Sequence, residues 1–270
     1  MKLLAPGIDR TDTGGGSTFL KNFKRAMTDL GHELTGNHLE SYDVLLIAGA
    51  TLCDRAIVES AIQNKKPIIL RVDNILEDKK NRNGGMPKMI EYAKAADIIV
   101  YQSEWAKALR SPIIGQGVVI YNGVDTDIYH PATYSPKEIA APRTFFYSKF
   151  SRGEGKNVNV VQQWWREHSL HRPQDKLILA GRFAEDNFHV NHPFEFHNKE
   201  NFAYAGQIRT EEHMAEIMRE CDAAILPYYA DACSNTILES QACGLDTIFD
   251  RSGGTPAIIY PRRDEASNHD

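Results

Sequence analysis

Short apolar runs alternate with segments of helical periodicity along the whole chain. Residues 44–49 and 67–72 are continuous apolar runs, as expected of parallel strands that are covered on both faces. Residues 53–64, between them, have the spacing of an amphipathic helix. The second half repeats the alternation, with buried strands predicted at residues 176–181 and 223–227. This order predicts an α/β fold made of two doubly wound, Rossmann-like domains facing a cleft.

A proline- and alanine-rich stretch at residues 132–143 separates the two halves. Such a composition is typical of an interdomain connection. We therefore predict a first domain over residues 1–131, a linker over residues 132–143 and a second domain over residues 144–270.

The composition predicts ordinary hydrophobic cores, since 42% of the residues are hydrophobic, and the net charge is -5. The cysteines favour a cytoplasmic protein, in which thiols stay reduced. No apolar run approaches the roughly 20 residues needed to cross a bilayer, so we expect no transmembrane segment, and peripheral membrane contact stays open. The negative charge gives no global reason to bind nucleic acid. The four cysteines lack the spacing of a metal site, and we expect reduced thiols and no metal.

Three consecutive glycines, Gly14, Gly15 and Gly16, follow the first predicted strand. A glycine-rich loop between a strand and a helix lets the backbone approach an anionic ligand closely, with a flexible surface loop as the alternative. Ser17 is predicted to cap the next helix. The spacing does not fit G-x-G-x-x-G, so a dinucleotide fingerprint is not supported.

Two carboxylates, Asp231 and Glu239, stand eight positions apart where a strand leads into a helix. Between them lie residue types that open helices: Ser234, Asn235 and Thr236. Asp231 is therefore predicted in the loop after the strand, and Glu239 on the helix. The backbone N–H groups at such a helix start suit a phosphate or sugar oxygen.

Two cations, Arg152 and Lys156, lie in a glycine-bearing loop that follows a strand predicted at residues 144–147. Positive side chains at the start of a helix can neutralise a diphosphate leaving group. Ordinary surface charge is the alternative.

The segment from Asp231 through Glu239 to Gln241-Ala-Cys-Gly244 resembles the E-x₇-E segment of retaining glycosyltransferases of family 4 (glycosyl transferases group 1), which have the GT-B architecture. Residues 122–131 resemble the segment that ends the first domain of these enzymes. The first acid is Asp231 where the family more often has Glu, and Asp246 stands where the family usually has Pro. Family members usually continue beyond this C-terminus, so we expect either a compact variant or a truncated one.

The resemblance implies retaining transfer of a hexosyl group from a nucleotide-diphosphate sugar, such as a UDP- or GDP-sugar, to an acceptor hydroxyl. The implied acceptor is a glycan, a lipid or a small molecule, expected on the side of the first domain. The second domain is expected to bind the donor, with no metal and no cofactor.

The family also implies roles for single residues. Arg152 and Lys156 would stabilise the departing diphosphate, Asp231 would hold sugar hydroxyls, and Glu239 would bind the nucleotide ribose. Asp73 follows the strand at residues 67–72, where the family often has a polar residue near the reacting sugar; a helix cap or an ion pair with Arg71 is the alternative. Contacts to phosphate and sugar are expected from two loops: Gly14, Gly15, Gly16, Ser234, Asn235 and Thr236.

Two other functions stay open. A sugar-nucleotide epimerase can share this architecture. A non-catalytic module that binds a sugar nucleotide or a partner is favoured by Asp231 and by the short C-terminus.

Overall fold

The computed structural model of the protein describes residues 1–10, 15–73, 85–132, 141–149, 156–181 and 201–259. Gly14 and Arg152 lie outside the described residues. The chain divides into two compact units. The first consists of Met1–Gly123 with Ala230–Cys233, and the second of Val124–Tyr229 with the residues from Ser234 onward. The domain boundaries given above remain a prediction.

The sheet of the first unit has the spatial order β2-β1-β3-β4-β5-β6, and each neighbouring pair is parallel. Its strands are β1 (Lys2–Leu4), β2 (Glu33–Thr35), β3 (Val44–Ile47), β4 (Ile68–Val72), β5 (Ile98–Tyr101) and β6 (Val118–Val119). The described helices of this unit are α1 (Gly15–Asp29), α2 (Arg55–Gln63), α3 (Gly85–Ala93) and α4 (Glu104–Ile114).

Both faces of the first sheet are covered by apolar side chains. Leu45 and Ile47 of β3 belong to one hydrophobic cluster, whereas Leu46 and Ala48 belong to another. Successive side chains of a strand point to opposite faces, so the two clusters lie on opposite sides of the sheet. The continuous apolar runs of the sequence predict this arrangement correctly.

The sheet of the second unit has the order β11-β10-β7-β8-β9 and is also parallel throughout. Its strands are β7 (Thr144–Lys149), β8 (Lys176–Gly181), β9 (Phe202–Gly206), β10 (Ala223–Leu226) and β11 (Asp246–Phe249). The described helices are α5 (Val158–His171), α6 (Glu211–Arg219) and α7 (Asn235–Ala242). The predicted α/β fold class is therefore confirmed.

In each sheet, the direction in which successive strands are added changes once. In the first sheet, β2 lies on one side of β1 and β3 on the other; in the second, β8 and β10 flank β7. Open α/β sheets bind ligands outside the carboxyl ends of the strands at such switch points. We therefore expect a site of the second unit at the carboxyl ends of β7 and β10.

Helix α1 begins at Gly15, two residues before the predicted cap Ser17. Gly15 and Gly16 therefore lie in the first helical turn and not in a loop, which corrects the prediction for these two residues. The first residues of a helix donate no intrahelical hydrogen bond, so glycine can occupy them although its helix propensity is low.

Within the described residues, no helix has the length and apolar character that a membrane span requires.

The buried carboxylate of Asp175 joins the start of β7 to the end of α5 in the second unit. Its side chain is 1% exposed and lies 2.8 Å from Nε2 of His168. It also accepts the backbone N–H of Arg143 at 2.9 Å and two longer bonds from the guanidinium of Arg172. Burial alone would raise the pKa of Asp175, but these hydrogen bonds outweigh it and lower the pKa below the ordinary value of 3.8.

Asp175→Asn should destabilise the protein by about 2 kcal/mol, because hydrogen bonds to a charged group contribute more than neutral ones. Since the pKa is depressed in the folded state, this stabilisation is present above the pKa of the unfolded chain, about 3.9, and is lost as the pH falls further. Thermal unfolding should therefore show a gap between wild type and variant at neutral pH that narrows in acid. The exposed Asp127→Asn is the control, and equal melting temperatures for wild type and Asp175→Asn would contradict this role.

Candidate functional site

Lys156 is held at the switch point of the second sheet. The hydroxyl of Tyr147 donates to the Lys156 carbonyl at 2.9 Å. The side-chain amide of Asn157 donates to the carbonyl of Pro227 at 2.7 Å, which connects the start of α5 to the residues that follow β10. The Lys156 ammonium lies 3.4 Å from the ring centroid of Tyr228, well within cation–π range. These contacts together fix the position of the cation.

Tyr228 is itself fixed by two hydrogen bonds to Ser148 at the end of β7. Its hydroxyl lies 2.7 Å from the Ser148 carbonyl and 3.0 Å from the Ser148 hydroxyl. A tyrosine hydroxyl donates one bond, and the carbonyl can only accept, so the Ser148 hydroxyl donates to Tyr228. Tyr228 is 1% exposed, so burial and these hydrogen bonds together fix the ring that contacts the Lys156 ammonium.

Glu239 lies on α7 with 7% of its surface exposed. Burial raises the pKa of Glu239 to about 8; the charge of Glu211 adds to this rise, and the charge of Lys156 opposes it. Most copies of Glu239 therefore carry a proton at pH 7. In this state Glu239 adds no negative charge to the surroundings of Lys156.

The predicted helix opening is observed at α7. The helix begins at Asn235, and Ser234 occupies the N-cap position without a side-chain capping bond. Ser234 is buried, while Asn235 and Thr236 are half-buried. The first amides of any helix lack intrahelical acceptors, which keeps this helix start chemically suited to an anion.

Asp231 is half-buried and lies in the segment Ala230–Cys233, which belongs to the first unit, whereas Glu239 belongs to the second. The two acids of the sequence motif therefore belong to different units.

Asp73 follows β4 directly, and its carboxylate accepts the backbone N–H of Ala50, the first residue of a 3-10 turn. A Cβ on Gly49 would lie 2.5 Å from the Asp73 carboxylate, so the glycine leaves room for this contact. The carboxylate thus caps the turn, which is one of the alternatives that the sequence leaves open. A role of Asp73 at a sugar remains a prediction.

Sequence reasoning misses three residues that shape these surroundings: Tyr228, Glu211 and Asn122. Tyr228 directly follows Pro227, which ends a buried apolar run, and an aromatic side chain after a strand end is a signal that could have identified it. Glu211 carries no comparable signal. Asn122 begins the segment 122–131 that resembles the family, but its contact with Cys233 is not predictable from the sequence because the two residues are 111 positions apart.

The family model described as "Glycosyl transferases group 1" matches residues 141–267, a range that contains the whole second sheet. The structure of HepE from Anabaena in complex with UDP-glucose matches with a TM-score of 0.69 and 13% identity, over 97% of this chain and 83% of that one. Sucrose-phosphate synthase from Thermosynechococcus elongatus matches with a TM-score of 0.70 and 14% identity, over 96% of this chain and 83% of that one. No curated protein matches the chain by sequence.

These structural matches show that the fold is α/β with two parallel sheets, as in GT-B glycosyltransferases.

Replacing Glu239 by Gln should remove a pH dependence of stability. The pKa of Glu239 is raised on folding from 4.5 to about 8, so the folded state binds the proton more tightly than the unfolded state. The resulting stabilisation is complete below the unfolded pKa and is lost as the pH rises through about 8. Glutamine is neutral at every pH and does not lose this stabilisation. The melting temperature of Glu239→Gln should therefore rise relative to that of the wild type as the pH rises.

The control for this measurement is Glu212→Gln, because Glu212 is an exposed residue on α6. Its melting temperature should follow that of the wild type across the same pH range. A constant difference between Glu239→Gln and the wild type would contradict a buried, protonated Glu239.

Proposed function

We propose that the protein is a retaining glycosyltransferase that moves a hexosyl group from a nucleotide-diphosphate sugar to an acceptor hydroxyl. The observation that carries the proposal is Lys156, a cation fixed on the ring of Tyr228 at the switch point of the sheet that the glycosyl transferase family model matches. The buried acid Glu239 lies near enough to Lys156 for the two charges to interact.

Lys156 would stabilise the leaving group. When the bond between the anomeric carbon and the diphosphate oxygen breaks, negative charge develops on the diphosphate. A cation that is already held in place stabilises this charge without reorganisation at the moment of reaction. From the family resemblance, Arg152 would supply a second cation, and the start of α7 at Ser234, Asn235 and Thr236 would supply amides. These groups can replace a metal ion, so we propose that the reaction requires no metal and no cofactor.

Glu239 would bind the nucleotide ribose. A protonated carboxyl group can both donate a hydrogen bond to a ribose hydroxyl and accept one from it. Because it is uncharged in this state, it adds no repulsion beside a diphosphate. The raised pKa of Glu239 therefore suits a position next to an anionic donor.

Asp231 would accept hydrogen bonds from the hydroxyls of the donor sugar, as the family resemblance implies. The acceptor hydroxyl forms the new bond to the anomeric carbon on the face that the diphosphate leaves, and its proton passes to the departing diphosphate oxygen. The product should therefore keep the anomeric configuration of the donor, which NMR of the isolated product reads directly. An inverted product would overturn the retaining mechanism and leave sugar transfer itself intact.

Thermal unfolding with UDP-glucose, GDP-mannose, ADP-glucose and dTDP-glucose should identify the donor nucleotide. A ligand at 100 times its dissociation constant adds about 2.7 kcal/mol to the free energy of unfolding, which is a clear shift in melting temperature. We expect one nucleotide to stabilise the wild type and to have a much smaller effect on Glu239→Ala. Glu216→Ala, an exposed change on α6, should respond like the wild type. If no sugar nucleotide stabilises the wild type, a module that binds a partner becomes the better explanation.

Lys156→Ala should lower kcat by about 100-fold or more, the usual cost of removing a group that stabilises charge in a transition state. Lys176→Ala is the matched control, because Lys176 is an exposed lysine at the amino end of β8, away from the carboxyl ends of the strands. Transfer is measured as release of the nucleoside diphosphate in the presence of an acceptor. Equal turnover in the two variants would remove Lys156 from the mechanism.

A further inference from the structure

We propose that Asn122 is a positioning residue for Asp231. Asn122 fixes the segment Ala230–Cys233 within the first unit, and it thereby sets the orientation of the carboxylate that binds the donor sugar. This inference rests on the proposed function, in which Asp231 holds sugar hydroxyls.

Asn122 binds Cys233 at two points. Its backbone N–H donates to the sulfur of Cys233 at 3.4 Å, and its side-chain amide donates to the Cys233 carbonyl at 2.9 Å. The same amide nitrogen donates to Oε1 of Gln102 at 3.2 Å, and the amide oxygen accepts from Nη2 of Arg71 at 3.0 Å. Both polar atoms of the side chain are thus used, and asparagine supplies the donors and the acceptor that this position requires.

Arg71 and Gln102 are themselves fixed, so Asn122 is held by a rigid support. The guanidinium of Arg71 donates to the carbonyl of Ala48 at 3.1 Å and lies 3.9 Å from the ring centroid of Phe19. Gln102 is buried and donates to the carbonyl of Val72 at 2.9 Å. These contacts anchor the network to the ends of β3 and β4.

Burial lowers the pKa of Arg71 to about 10, although the negative charge of Asp73 raises it. Arg71 therefore stays charged at neutral pH. Its bond to the Asn122 oxygen is therefore charge-assisted, and such bonds are stronger than neutral ones.

The segment that Asn122 holds is constrained on both sides of Asp231. Ala230 has a φ of 50°, a left-handed conformation that non-glycine residues adopt rarely. Strained backbone persists only where the surrounding structure enforces it. Ala232 is buried against Ala106 of α4, and Cys233 is bound by Asn122. With its neighbours fixed, Asp231 has a defined backbone position.

Asn122→Asp is the sharpest test, because the two side chains have the same shape. The carboxylate can still accept from Arg71, but it places a second oxygen opposite the carbonyl of Cys233 and Oε1 of Gln102. Oxygen acceptors cannot bond to one another, so the segment should be released while the contact to Arg71 survives.

The measurement is calorimetric titration with a sugar nucleotide and with the matching nucleoside diphosphate, starting with UDP-glucose and UDP. The pairs with GDP-mannose, ADP-glucose and dTDP-glucose follow if UDP-glucose does not bind. Asn122→Asp should weaken binding of the sugar nucleotide about tenfold and leave binding of the nucleoside diphosphate nearly unchanged. In the Asp231→Ala background, Asn122→Asp should cause no further loss, since the two residues act through one contact.

Asn64→Asp is the matched control, because it is the same substitution at an exposed site after α2, and it should leave both affinities unchanged. Should Asn122→Asp fail to fold, Cys233→Ala removes the sulfur acceptor alone and should cause a smaller loss of the same selective kind.

The outcomes separate this inference from the function on which it rests. An equal loss for both ligands, or additive losses in the double variant, would show a general structural role and overturn the inference alone. If Asp231→Ala binds both ligands like the wild type, the sugar role of Asp231 fails and the inference fails with it. If the wild type binds none of the pairs, the proposed function itself is overturned.

Discussion

Parallel pairing brings the carboxyl ends of neighbouring strands to one edge of each sheet. Apolar side chains cover both faces of the first sheet, and its candidate polar residues lie at or just beyond the carboxyl ends of the strands. Asp73 follows β4 and Asn122 follows β6, while Lys156 and Tyr228 follow β7 and β10 in the second sheet. The positions of the candidate residues thus result from the topology of the sheets, and short hydrogen bonds between loops then fix the side chains.

In the second unit, charge and burial act together on two residues. Glu239 is buried deeply enough to hold its proton near neutral pH, even though Lys156 opposes this. Burial disfavours the charged form of an acid, so the protonated Glu239 adds no negative charge near Lys156. The Lys156 ammonium lies over the ring of Tyr228, and an aromatic ring stabilises a cation without neutralising it.

In the first unit, a polar network of the buried residues Arg71 and Gln102 and the half-buried Asn122 has a different effect. The three residues lie at the carboxyl ends of neighbouring strands: Arg71 in β4, Gln102 directly after β5 and Asn122 after β6. Asn122 forms hydrogen bonds with both of the others. A satisfied buried network favours one arrangement, because every alternative leaves a polar group without a partner. Through Cys233 this network also determines the path of a segment that belongs by sequence to the second half of the chain. The orientation of Asp231 therefore depends on residues more than a hundred positions away.

The sequence by itself determined the α/β class, most strand positions and the placement of Glu239 on a helix, because apolar periodicity and helix-opening residues are local signals. It does not predict β2, since three residues are too few to show a period. It also places the start of α1 three residues late, because a cap at Ser17 puts the first helical residue at position 18 and the helix begins at Gly15. Only the tertiary structure decided that the Lys156 ammonium lies over the Tyr228 ring, that burial and the charge of Glu211 raise the pKa of Glu239, and that Asn122 binds Cys233. These are contacts between residues distant in the chain, and their energies depend on distance and burial, which no local pattern encodes.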